Sequence, residues 1–223
     1  MTAMALLRLR CRARAVAVLV AGTAFGLLLA LVETGWSPLR TVDRSVAHQL
    51  NEWISGMPAV VAALQVVTWL GDPAVIASLL GLATVRLLTR RRVRLACYVV
   101  VTGIGAAILA ETVKELVERT RPLLAEPVGV VDGASFPSGH ALGSMVGYGV
   151  LLLVFLPAVP RRARPHLAVG CGVLVLVVGF TRVALGVHFV SDVLAGWLLG
   201  LAWLGLTTAA FGHRRRQPAT RAG

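Results

Sequence analysis

The chain has 223 residues, of which 57% are hydrophobic and only 14% are charged. Soluble domains carry about 25% charged residues, and the apolar residues here come in long blocks, so the composition excludes an ordinary soluble domain and indicates an integral membrane protein. The formal net charge of +12 would suit nucleic acid or anionic lipid, but the placement of the arginines, described below, argues against nucleic acid.

Six segments are predicted to cross the membrane, because each supplies roughly 20 mostly apolar residues. The first resembles a signal peptide, but its apolar run is long and no small-x-small cleavage site follows, so we interpret it as a retained span. We predict an all-α fold, a six-helix transmembrane bundle over residues 15–211, between a basic N-terminus (1–14) and a basic tail (212–223). The predicted spans are residues 15–32, 73–88, 95–113, 141–159, 167–181 and 190–211.

The arginines predict the orientation of these spans. Sixteen of the 22 basic residues fall in four clusters, and with six spans all four lie on one side. The positive-inside rule makes that side cytoplasmic, so we expect both termini in the cytoplasm. The clusters are Arg8, Arg10, Arg12 and Arg14; Arg86, Arg90, Arg91, Arg92 and Arg94; Arg161, Arg162 and Arg164; and Arg214, Arg215, Arg216 and Arg221.

The predicted outer loop, residues 33–72, contains one short apolar segment, residues 58–70. At about 1.5 Å per residue this segment is too short for a hydrocarbon core about 30 Å thick. A seventh span here would also move the arginines of residues 90–94 to the outer side. We therefore predict an interfacial or re-entrant helix.

Ionisable residues gather at the predicted outer ends of the spans, where proximity to lipid makes them costly. One group surrounds Lys114, the only lysine of the chain. A second precedes the fourth span, where a helix start offers N–H groups and a positive dipole end to an anion. In the third, His188 and Asp192 are four residues apart and share one face of a helix. The groups are Lys114-x6-Arg121-Pro122, Pro137-Ser138-Gly139-His140 and Arg182-x5-His188-x3-Asp192.

These groups combine cations, two histidines, a hydroxyl and a carboxylate at one face of the bundle. Phosphate carries about −1.5 to −2 charges at neutral pH and is well matched by several cations. A histidine with a carboxylate partner is an activated nucleophile, and a second histidine can protonate a leaving alkoxide. The residues therefore predict a phosphate site.

The arrangement resembles the type 2 phosphatidic acid phosphatase superfamily, which also includes vanadium haloperoxidases. The motifs of that family are K-x6-R-P, P-S-G-H and S-R-x5-H-x3-D, and their order and fixed spacings agree with residues 114–122, 137–140 and 181–192. The one departure is Thr181 in place of serine, which keeps the hydroxyl. The resemblance covers about residues 72–211.

The resemblance implies a role for each matching residue. His188 would attack phosphorus and become phosphohistidine, while Asp192 would hold its other ring nitrogen. His140 would protonate the leaving oxygen. The oxygens of the phosphate would be bound by Lys114, Arg121, Ser138, Gly139 and Arg182.

The resemblance and the spans together predict a lipid phosphatase of the cell membrane with its site on the extracytoplasmic face. Its substrate would be a lipid phosphate monoester or pyrophosphate, such as phosphatidic acid, phosphatidylglycerol phosphate or undecaprenyl pyrophosphate. We expect no cofactor and no metal, because the sequence has neither a carboxylate cluster for two metal ions nor a Cys/His ligand set. No nucleic-acid partner is expected.

Three alternatives remain open. A phosphotransferase that passes the phosphate to another hydroxyl would use the same residues. A vanadate haloperoxidase is disfavoured by the six spans. A non-catalytic lipid-binding or transport protein is disfavoured because transporters place ionisable groups near the bilayer midplane, whereas here they gather at one rim.

The remaining polar residues of the outer side are interpreted as solvated or headgroup-facing, and glycines of the last two spans predict close helix packing. The former are Arg40, Arg44, His48 and Arg119, and the latter are Gly170, Gly172, Gly196 and Gly200.

Overall fold

A computed structural model describes residues 3–124 and 132–213, and in these ranges the chain is helical with no strand. The predicted all-α class is confirmed. The arginines predicted to follow the last span, Arg214, Arg215, Arg216 and Arg221, lie outside the described residues. The helices are α1 (Ala3–Glu33), α2 (Ser37–Ser55), α3 (Pro58–Thr68), α4 (Pro73–Thr89), α5 (Val93–Val117), α6 (Gly139–Phe155), α7 (Arg164–Ala184) and α8 (Val190–His213).

Six helical stretches of the described chain are long and apolar enough to cross a membrane, as predicted. The helices extend beyond most of the predicted spans, because backbone hydrogen bonding continues from the apolar run into polar residues at either end. The fourth span instead closes with a 3-10 turn, Leu156–Ala158, after α6. The candidate spans are Arg12–Glu33, Pro58–Thr89, Val93–Val117, Gly139–Ala158, Arg164–Ala184 and Val190–Gly212.

The outer loop is itself helical. It contains α2, and the short apolar segment forms α3 followed by a 3-10 turn, Trp69–Gly71. Asp72 then caps α4, because its carboxylate accepts a 2.8 Å hydrogen bond from the Ala74 N–H group. The helix α3 packs against α7, and α3 and α4 together form the second candidate span. The interfacial or re-entrant placement of α3 stays a prediction.

The outside of the bundle is apolar, whereas its interior is filled by small and branched side chains. Leu19, Leu82 and Ile108 expose 60% or more of their surface, as expected where lipid surrounds a protein. The helix α6 lies at the centre, with Val146 and Val150 almost fully buried against its neighbours.

The predicted close packing of glycines is confirmed on α8 and is wrong on α7. A Cβ on Gly196 would lie 2.7 Å from the Ser138 carbonyl oxygen, and one on Gly200 would lie 3.1 Å from Met145. By contrast, Gly170 and Gly172 have no such neighbour within 4 Å. Because Gly196 has no side chain, the second turn of α8 packs directly against the start of α6, and Asp192 lies one turn before Gly196.

Candidate active site

The three motifs meet at one end of the bundle, formed by the end of α5, the start of α6, the end of α7 and the start of α8. The Arg121 Nη1 atom lies 3.3 Å from the His188 Nε2 atom. The Ser138 N–H group donates to the Asp192 carbonyl oxygen at 2.9 Å. The Lys114 Nζ atom lies 3.6 Å from the position of a Cβ on Gly139. Side chains from all three motifs are therefore within reach of one small anion.

His188 is buried, with 3% of its surface exposed. A guanidinium group can only donate, so the Nε2 atom facing Arg121 accepts and carries no proton. The proton of the neutral ring is then on Nδ1, which faces Asp192. Burial lowers the pKa of His188 below its ordinary value; the Asp192 carboxylate opposes this, and the charges of Arg121 and Arg182 add to it. The resting imidazole is neutral, with a lone pair on Nε2.

Asp192 is fully buried in the first turn of α8. Its Oδ2 atom accepts from the Phe189 N–H group at 2.8 Å, which ties the carboxylate to the start of its own helix. The Nδ1 atom of His188 lies 3.6 Å from the same oxygen, a contact too long for a hydrogen bond. Asp192 therefore faces the imidazole without bonding to it in this structure.

Arg119 lies inside the site, and its interpretation as a solvated residue is wrong. Its guanidinium donates to Asp192 Oδ1 at 2.6 Å and to Asp43 Oδ2 at 2.8 Å, and it stacks over the Phe189 ring at 4.4 Å from the ring centre. We call Asp43, Arg119 and Asp192 the ion triad. Ser191 supports the triad, because its N–H group donates to Asp43 at 3.0 Å.

The sequence also indicates that Asp43 is buried, although Asp43 lies outside the three motifs. In α2 the buried residues are Asp43, Ala47, Asn51 and Ile54, which recur at helical spacing on one face. A carboxylate on the inward face of an amphipathic helix requires a cation partner. Arg119 supplies that cation at 2.8 Å, from the segment that also carries Arg121.

Arg182 is the least satisfied cation of the site. It is 6% exposed, and its Nη1 atom donates to the Thr68 hydroxyl at 3.0 Å. Its Nε atom has no hydrogen-bond partner among the described residues, and no carboxylate of the described chain lies within 4.0 Å of it. A buried cation without a counterion is costly, so this position favours an anion.

The other two predicted phosphate-binding cations already have partners. Lys114 forms a 2.8 Å ion pair with Glu111. Arg121 donates to backbone carbonyl groups on both sides of the site, including Gly133 at 3.0 Å and Val187 at 2.8 Å. These bonds hold the loop before α6 against the turn before α8.

The start of α6 supplies the remaining predicted residues. Ser138 caps the helix, because its hydroxyl accepts from the Ala141 N–H group at 3.5 Å, so in this structure the hydroxyl serves the helix. The Gly139 and His140 N–H groups belong to the first turn and have no partner within the helix. The half-buried His140 ring lies close enough to Arg182, His188, Asp72 and Lys114 to interact with them electrostatically, which places both histidines at the same end of the bundle.

Among the described residues, no group of three or more His, Cys, Asp or Glu side chains could hold a metal ion. Three cations, Arg121, Arg182 and Lys114, act electrostatically on His188 or His140. The arrangement can therefore bind a multiply charged anion and present a neutral imidazole to it.

Comparisons with known proteins agree with this chemistry. The family model of the PAP2 superfamily matches residues 94–216. Over 96 residues the chain is 38% identical to phosphatidylglycerophosphatase B of Bacillus subtilis, covering 42% of this chain and 47% of that protein. It is 31% identical over 124 residues to an undecaprenyl-diphosphatase of Sulfolobus acidocaldarius, covering 53% of this chain and 55% of that protein. The chain spans about half the length of the curated relatives it matches.

A solved structure shares the fold. The crystal structure of a transmembrane PAP2 type phosphatidylglycerolphosphate phosphatase from Bacillus subtilis superposes with a TM-score of 0.80, covering 92% of this chain and 98% of that chain. The sequence identity is 24%, so this likeness establishes the architecture.

Replacing Arg119 with Met is expected to destabilise the protein by about 3–5 kcal/mol, because two buried carboxylates lose their cation. The measurement is thermal unfolding of the purified protein in detergent. Arg44→Met is the matched control, since Arg44 is exposed on α2 next to Asp43. Adding Asp43→Asn to Arg119→Met should restore part of the loss by removing one buried charge. Equal melting temperatures for the two single variants would contradict a stabilising ion triad.

Proposed function

This chain belongs to the PAP2 superfamily, and on that premise we propose that it is a membrane phosphatase that hydrolyses a phosphate monoester or pyrophosphate of a lipid. It is a multi-pass membrane protein, and the relatives reported above are named as lipid phosphatases. The observation that carries the proposal is geometric: the buried Arg182 has no carboxylate partner among the described residues, and the His188 Nε2 atom faces the Arg121 guanidinium at 3.3 Å. A site that holds a buried cation without a counterion, next to a nucleophile, suits a phosphoryl group.

In the proposed first step, the Nε2 lone pair of His188 attacks phosphorus and the bond from phosphorus to the leaving oxygen breaks. His140 gives its proton to that oxygen, which departs as the lipid alcohol or monophosphate. The attack makes the His188 ring cationic, and the Asp192 carboxylate facing Nδ1 stabilises this charge. The product is phosphohistidine.

The cations act on the charge of the transferring group. Arg182 lies in place with an Nε donor that has no partner in the described part of the chain, and Arg121 turns part of its donor set from backbone carbonyls to phosphate oxygens. Lys114 contributes a point charge, and the Gly139 N–H group at the positive end of α6 contributes a donor, with Ser138 beside it. Donors held in position before the reaction stabilise the transition state most.

In the second step, water attacks phosphorus while His140 takes a proton from the water, and the bond from phosphorus to His188 Nε2 breaks. Free phosphate leaves and the neutral imidazole is restored. The protein supplies every positive charge that these steps use, so we propose that the reaction needs no metal ion.

The substrate is proposed to be a lipid whose tail stays in the bilayer while its headgroup reaches the end of the bundle. The exposed apolar flank of the helices supports this. The site is proposed to face the extracytoplasmic side with both termini in the cytoplasm, because the arginines of residues 86–94 and 161–164 lie at the end of the bundle opposite His188.

We expect His188→Ala to lower phosphate release by about 10³-fold or more, because the covalent step loses its nucleophile. The assay follows free phosphate in the presence of EDTA with phosphatidic acid, phosphatidylglycerol phosphate and undecaprenyl pyrophosphate. His48→Ala is the control, because His48 is an exposed histidine on α2. Activity retained in His188→Ala, or lost in the wild type with EDTA and restored by a divalent ion, would contradict the mechanism.

The pH profile should report the neutral state of His188. Because its pKa is lowered, the nucleophile stays unprotonated as the pH falls through about 6.5, the ordinary histidine value. The acid limb of kcat/KM should therefore lie below that pH, after correction for the ionisation of the substrate measured separately. In Asp192→Asn, which removes the opposing carboxylate, the limb should move further to acid. A limb above pH 6.5 would show that protonation of His188 is not disfavoured.

Cysteine labelling tests the proposed orientation. In a variant lacking Cys11, Cys97 and Cys171, Ser45→Cys on α2 should react with a membrane-impermeant maleimide in intact cells. Arg162→Cys, between α6 and α7, should react only after the membrane is opened. Both positions are exposed, so the reverse pattern would place the active site in the cytoplasm.

A further inference from the structure

A cavity of about 1360 Å³ lies at the end of the bundle opposite the active site. Two helices connect the cavity with the active site. The helix α4 begins beside the site at Asp72 and ends at the cavity, whereas α5 begins at the cavity and ends at the site near Lys114. At about 1.5 Å of rise per residue, these helices separate the two places by more than 20 Å. No step of the proposed reaction uses this cavity.

Arginine dominates the charged lining of the cavity. None of the residues that line it is an Asp or a Glu, and no ion pair among the described residues involves its arginines. Like charges that converge on one space repel each other unless an anion enters it. Guanidinium groups bind phosphate oxygens through two parallel N–H groups. The arginines are Arg14, Arg86, Arg90, Arg91, Arg92 and Arg94.

The rest of the lining is mostly apolar. Leu87, Leu95 and Phe155 line the cavity where their helices run towards the hydrocarbon core. The Phe211 ring packs against the Tyr98 ring, with 5.4 Å between ring centres, and the Tyr98 hydroxyl pairs with that of Thr208 at 2.8 Å. A cationic rim above an apolar wall is complementary to an amphipathic anion. The cavity is also larger than a free phosphate ion requires.

The positive-inside rule accounts for arginines on this side of the membrane, and it does not require them to line a common cavity. The turn between α6 and α7 provides the comparison. Arg161 and Arg162 lie at the same end of the bundle and are exposed, yet they are not among the residues that line the cavity. Exposed arginines at this end of the bundle therefore do not all line the cavity.

We propose that this cavity binds an anionic phospholipid of the leaflet opposite the active site, with its phosphate among the arginines of α4 and α5 and an acyl chain along the apolar wall. The proposal does not depend on the phosphatase activity. The bound lipid bridges α1, α4, α5, α6 and α8, which all contribute to the lining.

The test measures lipid binding to the full chain by native mass spectrometry, with dioleoyl phosphatidylglycerol and dioleoyl phosphatidylcholine as probes. Arg90→Gln/Arg92→Gln should weaken phosphatidylglycerol binding about tenfold, because each arginine near a headgroup contributes on the order of a fewfold to affinity. Arg161→Gln/Arg162→Gln removes the same charge outside the cavity and should change binding less than about twofold. Phosphatidylcholine should bind more weakly to the wild type.

Three outcomes would overturn the proposal. Equal losses in the two double variants would assign the effect to general surface charge. If millimolar inorganic phosphate displaced phosphatidylglycerol as strongly as added lipid does, the acyl chain would contribute nothing to binding. A loss in Arg182→Gln as large as in the cavity variant would place the lipid in the active site. The single variants Arg90→Gln and Arg92→Gln replace the double variant if its melting temperature falls.

Discussion

The ion triad is the constraint on which the site depends. Asp43 and Asp192 are buried carboxylates from helices far apart in sequence, and the Arg119 guanidinium lies between them. Neither carboxylate is tolerable there without the cation, so the segment after α5 must cross to the start of α8 and α2 must cover it. Once Arg119 is fixed, Arg121 follows two residues later and faces His188.

This pairing divides the charged groups of the site into two sets. Arg119 is taken up by carboxylates and by the Phe189 ring, so it supports the fold. Arg182 is more deeply buried, yet it has no carboxylate partner among the described residues. If Asp192 were paired with Arg182 instead, the charge of the most buried cation would be neutralised. The carboxylate would then occupy the place beside the imidazole where an anion could bind. The triad therefore preserves the positive potential that a phosphoryl group requires.

The spacing of residues in the sequence predicted the contacts that lie within one helix or one turn. It did not predict the contacts between helices. The i, i+4 relation of His188 and Asp192 and the helix start after Pro137 are visible in the sequence, as are the six spans. The bond between Asp43 and Ser191 joins residues 148 positions apart, and no local pattern specifies it. Gly170 and Gly172 read like Gly196, yet only Gly196 meets a neighbouring backbone, because packing depends on which face a neighbour occupies.

The two ends of the bundle use arginine in opposite ways, for one electrostatic reason. Near His188, the guanidinium groups of Arg119, Arg121 and Arg182 are partly or fully buried, and their donors are fixed by carboxylates, carbonyl groups and a hydroxyl. At the other end, the arginines of residues 86–94 are exposed around an open cavity. Fixed, partly buried donors favour one charge distribution, which suits a reacting phosphoryl group. Exposed arginines adapt to many headgroups and gain less from each, which suits holding a lipid that is not transformed.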